Sequence, residues 1–193
     1  MPEEADAVLV SKASRGDKAA FEALYKKYNT MVFRTAYAIL RDRFGAEEVT
    51  QECFVRAFRS LHRVDAGPSL GPWLHRIAVN LSYNWWKNMR RHWVFPLQSA
   101  MREAGLLHPK SPFVMSQQSE LRAGVMKALE SLGFEQRVPL ILFYLGGFSL
   151  DEIAYVLDCP VGTVKSRLHY GRASLKRELE HIWTTIPEVA YEF

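Results

Sequence analysis

A chain of 193 residues, 48% apolar and 24% charged, has the material for one or two cored domains and is too apolar to be disordered. Its net charge of +4 is uneven: residues 1–92 hold fifteen Lys and Arg against ten Asp and Glu, residues 93–118 two against one, and residues 119–193 eight against ten. The longest apolar stretch, Val138 to Leu150, is too short to span a bilayer and is interrupted by Gly146-Gly147.

In chain order, Met1-Pro2-Glu3-Glu4-Ala5-Asp6 is acidic and lacks an apolar run, which excludes a signal peptide and points to a soluble, cytoplasmic protein. Asp17 is a good N-cap. After it, Phe21, Leu24, Tyr25, Tyr28, Val32, Ala36 and Ile39 follow at spacings of three and four, so a helix is expected. A second helix is expected from near Ala46, with Val49, Cys53, Phe54, Ala57, Phe58 and Leu61 as its apolar stripe. Glu47, Glu48 and Glu52 in its first turns suit the positive end of the helix dipole. Those acids with Gln51 form either a solvated face or a docking surface for a basic protein, and composition does not choose between them. Asp65-Ala66-Gly67-Pro68 spells a turn. A third helix then starts at about Pro72, carrying Trp73, Leu74, Ile77, Leu81 and Trp85 at core spacing.

No acid occurs between Asp65 and Glu103. Arg76, Lys87, Arg90, Arg91 and Arg102 are interleaved there with Tyr83, Trp86, Trp93 and Phe95, and with the polar tips of Asn80, Asn84 and Asn88. Basic side chains attract phosphate, and flat aromatic faces accept unstacked bases at about 1–3 kcal/mol each. The combination suits single-stranded or melting DNA. From Trp93 to Gln118 the periodicity lapses among Pro96, Pro109 and Pro112, so this segment is expected to be a flexible interdomain linker.

Helices resume at about Ser119, with Leu121, Val125, Leu129 and Leu132, and again from about Glu135 to Leu145. Pro139 is expected in the first turn of the latter or just after. Ser149 and Glu152 then spell a capping box. Ile153, Ala154 and Leu157 make the expected buried stripe of the short helix it opens. Asp158 tolerates a left-handed backbone, and Pro160 opens the next helix. That helix carries Lys165, Arg167, Arg172, Lys176 and Arg177 with no acid between 161 and 177. A short helix followed by a basic one is the helix-turn-helix layout, whose second helix enters the major groove. The alternative is an ordinary helical hairpin with a solvated basic face.

Cys53 and Cys159 have no metal-ligand spacing to histidine and are expected to act as small hydrophobes in a reducing compartment. The six histidines form no ligand pair four residues apart on one helix, and no phosphate loop or nucleophile elbow occurs. No enzyme, metal or cofactor is therefore expected.

Three motifs carry a family resemblance. Gly45-Ala46-Glu47-Glu48-Val49-Thr50-Gln51-Glu52-Cys53-Phe54 resembles the polymerase-clamp-binding region of bacterial sigma factors. Pro72-Trp73-Leu74-His75-Arg76-Ile77-Ala78-Val79-Asn80 resembles the promoter-melting, −10-reading region of their extracytoplasmic-function group. Cys159-Pro160-Val161-Gly162-Thr163-Val164-Lys165-Ser166-Arg167-Leu168 resembles that group's −35-reading helix. Order, linker and length also match, over about residues 9–182.

The resemblance implies an all-α protein with two small helical domains: sigma region 2 at 9–92, a linker at 93–118, sigma region 4 with its helix-turn-helix at 119–183, and a tail at 184–193. Glu47, Glu48, Gln51 and Glu52 would dock on core RNA polymerase. Asp65, Gly67, Asn80, Asn84 and Lys87 would capture a flipped base and phosphates of the −10 element, with Arg90 and Arg91 on the strand backbone. Arg76 and Trp86 join this −10 set from the basic-aromatic pattern. Gly162, Thr163, Lys165, Ser166, Arg167, His169 and Tyr170 would face the −35 groove or its phosphates, joined by Arg172 of the same basic helix. An anti-sigma factor is an implied partner. Three departures stand out: Tyr170-Gly171 where a base often follows His169, a nearly neutral linker, and Asn84 where aspartate is common. The rival reading is a stand-alone helix-turn-helix regulator that binds duplex DNA by itself.

Overall fold

The computed structural model describes residues 5–64, 69–92 and 117–185, with side chains described throughout except at 90–92, 117–123 and 182–185. The fold is all-α: α1 (Asp6–Ser14), α2 (Lys18–Leu40), α3 (Arg43–Ser60), a 3-10 turn (Leu61–Arg63), α4 (Gly71–His92), α5 (Gln117–Ser131), α6 (Phe134–Tyr144), α7 (Leu150–Leu157) and α8 (Val161–Thr185). The expected turn at 65–68 and most of the expected linker lie outside the described residues, as does the tail beyond Thr185.

The local start and stop signals act as chemistry dictates. Asp17 accepts hydrogen bonds from the N–H groups of Ala19 and Ala20, satisfying donors that the first turn of α2 leaves free. Asp42 does the same for Gly45, so α3 begins at Arg43, ahead of the expected Ala46. Ser149 and Glu152 form both bonds of the capping box, and Asp158 ends α7 with φ at 51°. Pro139 lies deeper than the first turn of α6, within the helix and buried. Its missing N–H removes one helix bond, and burial of its apolar ring works against the loss. In α7 the fully buried pair is Ile153 and Val156, while Ala154 and Leu157 are only half-buried.

Buried side chains form two clusters. The first joins α1 to α4 through Leu24, Val32, Cys53, Leu61, Leu74 and Ala78. Trp73, Ile77 and Trp85 pack against its edge, so their helical spacing does mark the core side of α4. The second is built on Leu142, Ile141, Ile153, Val156, Val164 and Leu168. It also takes in Ala38 and Ile39 from the end of α2 and Val79 from α4. The helix-turn-helix half is thus seated on the first half through a shared apolar seam.

Apolar burial dominates that seam. Ile39 is fully excluded from solvent and Val79 nearly so, each contributing about 1.5–3 kcal/mol on the usual scale for side-chain burial. Arg76 reaches across from α4 to Asp158 at 3.0 Å and to the Tyr155 carbonyl at 2.9 Å. Arg41 meets Glu130 at 2.7 Å. Each ion pair has a largely exposed partner, and such pairs contribute about 0–1 kcal/mol.

His75 sits fully buried at this seam, its ring edge-on to Phe148 with centroids 4.6 Å apart. Nδ1 donates to the Gly71 carbonyl at 2.8 Å and Nε2 lies 3.1 Å from the Thr35 hydroxyl. Burial pushes its pKa below the ordinary 6.5, outweighing the Gly71 bond, which favours the charged form. The unfolded chain therefore takes up this proton first as pH falls. The stability contributed by neutral His75 is complete above about pH 6.5 and is lost as pH drops below it. Thermal melts across that range should show Tm falling with acid, and His75→Gln should flatten the slope. An unchanged slope in the variant would assign the acid sensitivity elsewhere.

Candidate functional site

Three faces gather the residues singled out by sequence. On α8, Gly162, Lys165, Ser166, His169 and Tyr170 are exposed along one stripe, opposite buried Val164 and Leu168. Thr163 is half-buried, and its carbonyl accepts the Ser166 hydroxyl at 2.9 Å. The rings of His169 and Tyr170 meet edge to face, 5.3 Å apart. Arg172 lies at the margin, its guanidinium 5.5 Å from the Phe143 ring centre and 5.7 Å from that of Tyr144. Gly171 is buried because α6 crosses α8 there: a Cβ would lie 3.2 Å from both the Gln136 carbonyl oxygen and a Leu140 methyl.

Arg167 is placed differently from its neighbours. It is half-buried, ion-paired with Glu135 of α6 and 3.9 Å from the Cys159 sulfur. The ion pair makes it a brace between α6 and α8.

On α4, Arg76, Asn80, Asn84 and Lys87 fall at spacings of four, four and three, along one side of the helix. The start of this side is covered. Arg76 is tied to α7, with its guanidinium also 5.1 Å from the Tyr155 ring. Asn80 borders an open-sided cavity of about 190 Å³ between α4, α6 and the helix-turn-helix, together with Val79, Tyr83, Glu135 and Arg167. Trp86, assigned to the −10 set from the basic-aromatic pattern, is half-buried, its ring 5.7 Å from Phe134 and 6.1 Å from Tyr83. Asn84 and Lys87 are exposed, with the Lys87 ammonium 6.0 Å from the Tyr83 ring. Asp65 and Gly67 lie outside the described residues, as do the side chains of Arg90 and Arg91.

On α3, Glu47, Glu48 and Gln51 are exposed and Glu52 is half-exposed. Two of these acids are already paired on their own helix, Glu47 with Arg43 at 2.9 Å and Glu52 with Arg56 at 2.7 Å. The same face carries exposed Phe44, Val55 and Phe58, Phe44 being 73% exposed. Sequence reasoning missed this apolar component. The signal was available, since Phe44 and Val55 fall outside the stripe of Val49, Cys53 and Ala57. The face offers apolar contact edged by mixed charge, which differs from a purely acidic patch.

Both cysteines are free thiols, Cys53 buried and Cys159 half-buried. Burial pushes the Cys53 thiol up to about 12, and it donates weakly to the Leu74 carbonyl at 3.4 Å. Among the described residues, no group of three His, Cys, Asp or Glu could hold a metal ion, and no helix is long and apolar enough to cross a membrane.

Two family models match the chain: Sigma-70 region 2 over residues 24–92, and Sigma-70, region 4, over residues 122–175. The ECF RNA polymerase sigma-E factor of Escherichia coli is 32% identical over 185 residues, covering 91% of this chain and 94% of that one. The RNA polymerase sigma-H factor of Pseudomonas aeruginosa is 30% identical over 189 residues, covering 93% and 96%. Among solved structures, CnrH in complex with the cytosolic domain of CnrY superposes with a TM-score of 0.68 at 24% identity, over 92% of this chain and 99% of that one, a likeness of fold. Matched regions in the expected order, and relatives aligned over nearly their whole length, agree with the helix-turn-helix and the polar stripe of α4. The chain belongs to the extracytoplasmic-function group of RNA polymerase sigma factors.

Proposed function

We propose that this protein joins core RNA polymerase through α3, reads the −35 element with the exposed stripe of α8, and captures the melting −10 strand along α4. The carrying observation is that two separate nucleic-acid-suited faces stand on one chain. One is a helix-turn-helix stripe fit for a major groove, the other a polar-aromatic helix face fit for unstacked bases. Recruitment and strand separation need no covalent chemistry, so the proposed role is not enzymatic; it is exercised on promoter DNA, in the cytoplasm. Residues 9–92 and 119–183 serve as the two working domains, with 93–118 as their tether and 184–193 as a tail.

In this arrangement the stripe of α8 is open, and so are Asn80, Asn84 and Lys87 on α4, whereas Arg76 is tied to α7 and the Trp86 ring packs on Phe134 of α6. Release of Arg76 and Trp86 for strand capture therefore follows separation of the two halves, and polymerase supplies the docking energy that offsets the seam. An anti-sigma factor, the partner named for a Bartonella quintana RpoE of similar fold, would act by holding the halves in an arrangement that polymerase cannot use.

Run-off transcription with core polymerase on a genomic fragment library tests the reading. The expected result is a discrete set of start sites that depends on this chain. Tight sequence-specific duplex binding by the free protein, or no specific start with active core, would overturn it in favour of a stand-alone regulator.

A further inference from the structure

Asp6, at the head of α1, is buried, at 4% exposure. It opens α1, yet its carboxylate bonds to elements far along the chain. Oδ2 accepts the Leu70 N–H at 2.7 Å and the Tyr28 hydroxyl, and Oδ1 lies 3.1 Å from the Lys27 ammonium. The network continues: the Tyr28 hydroxyl is 3.2 Å from the Ser69 hydroxyl, which accepts the Gly71 N–H at 3.2 Å. Gly71 is the first residue of α4. One buried carboxylate therefore ties α1 and α2 to the entry of the helix that bears Arg76, Asn80, Asn84 and Lys87.

Holding α1 in place does not require a charge there. Leu9, Val10 and Ala13 already bury its apolar side. A buried carboxylate is costly unless its oxygens are satisfied. Burial works against ionisation here, but the bonds from Tyr28, Leu70 and Lys27 outweigh it and hold the carboxyl below its ordinary value. What directional bonds add beyond apolar contact is a fixed orientation. At 1.5 Å per residue, Asn84 stands about 20 Å along α4 from Gly71, so a tilt of about 5° at the helix entry moves its tip by about 2 Å. Such a displacement is enough to spoil hydrogen bonding to a base.

We propose that Asp6 is a positioning residue for −10 recognition: through Tyr28, Leu70 and Ser69 it fixes the entry of α4 and so aims the strand-capturing stripe. This rests on the reading of α4 given above.

The experiment uses the full chain with core polymerase on a promoter found by run-off, and on versions with single-base changes in the −10 element. Asp6→Ala should lower the yield ratio between the preferred and altered −10 templates by about fivefold or more, the scale of one mismatched base. Duplex −35 affinity and polymerase affinity should stay within about twofold, because the other faces keep their geometry. Asp6→Asn, which keeps an acceptor for Leu70, should restore part of the ratio. Tyr28→Phe and Ser69→Ala should lower it more mildly, and they decide the matter if Asp6→Ala fails to fold. Equal losses on every −10 template, or unchanged ratios in the milder variants, would reduce Asp6 to a fold-stabilising contact. A wild-type chain that starts nowhere would instead remove the parent reading, and this one with it.

Discussion

Lys165→Ala is expected to weaken binding to a −35 duplex, whereas Trp86→Ala should leave that affinity intact and impair promoter opening. Lys165 is exposed on the proposed −35 stripe, near the start of α8, the part of a helix-turn-helix recognition helix from which side chains reach base edges. A lost base contact is worth about 1–3 kcal/mol, or roughly five- to 150-fold in affinity. Trp86 has two competing roles. Its ring packs on Phe134 in the closed seam, and removing an aromatic pair of about 0.5–1.5 kcal/mol makes separation of the halves easier. A stacked base contributes about 1–3 kcal/mol, so the loss during melting outweighs the gain in opening. Gel-shift titration of a −35 duplex with the holoenzyme, alongside permanganate footprinting of the melted strand, separates the two. Equal losses of duplex affinity in both variants would refute the division of labour between the halves.

Gly45→Ala is expected to destabilise the first domain although it places a better helix former in α3. Alanine in place of helical glycine gains about 0.8–1 kcal/mol. The added Cβ, however, would sit 2.5 Å from Cζ2 and 2.6 Å from Cε2 of the Trp85 ring. Trp85 packs against the first core, and a rigid indole yields only by moving α4 away from α3. Overpacking of this kind costs about 1–3 kcal/mol. The net loss, up to about 2 kcal/mol, should lower Tm by up to several degrees. Promoter opening should fall with it, because α3 and α4 carry the proposed polymerase and strand faces. A raised Tm would mean that helix propensity wins and that the α3–α4 contact is soft.

Much of the fold was legible because its signals are local. The capping box of Ser149 and Glu152, the left-handed Asp158 and the cap at Asp17 are each settled within four residues of chain. The stripe of Trp73, Leu74, Ile77, Leu81 and Trp85 likewise reports which side of α4 is buried. Periodicity does not report what covers a residue. Ile39 reads as part of the α2 stripe, yet its neighbours belong to the helix-turn-helix half. Arg167 sits within a basic run and looks like a DNA contact, but its partner Glu135 lies on another helix. Helix α1 was not expected at all. It has only Leu9, Val10 and Ala13 to mark it, and the acid at its head is buried by virtue of Tyr28 and Leu70, which no local pattern connects to it.

Charge pairing along α3 sets how this protein responds to ionic strength. With Glu47 already facing Arg43, and Glu52 facing Arg56, a polymerase surface docking there neutralises few new charges and gains much of its hold from Phe44, Val55 and Phe58. Added salt weakens such a contact slowly. On the proposed roles the basic side chains of α8 behave oppositely: each phosphate they neutralise releases condensed counterion, and the logarithm of DNA affinity falls with a slope of about −0.9 per contact. Rising salt is then expected to strip the protein from DNA before it strips it from polymerase, leaving a holoenzyme that stays assembled and searches again.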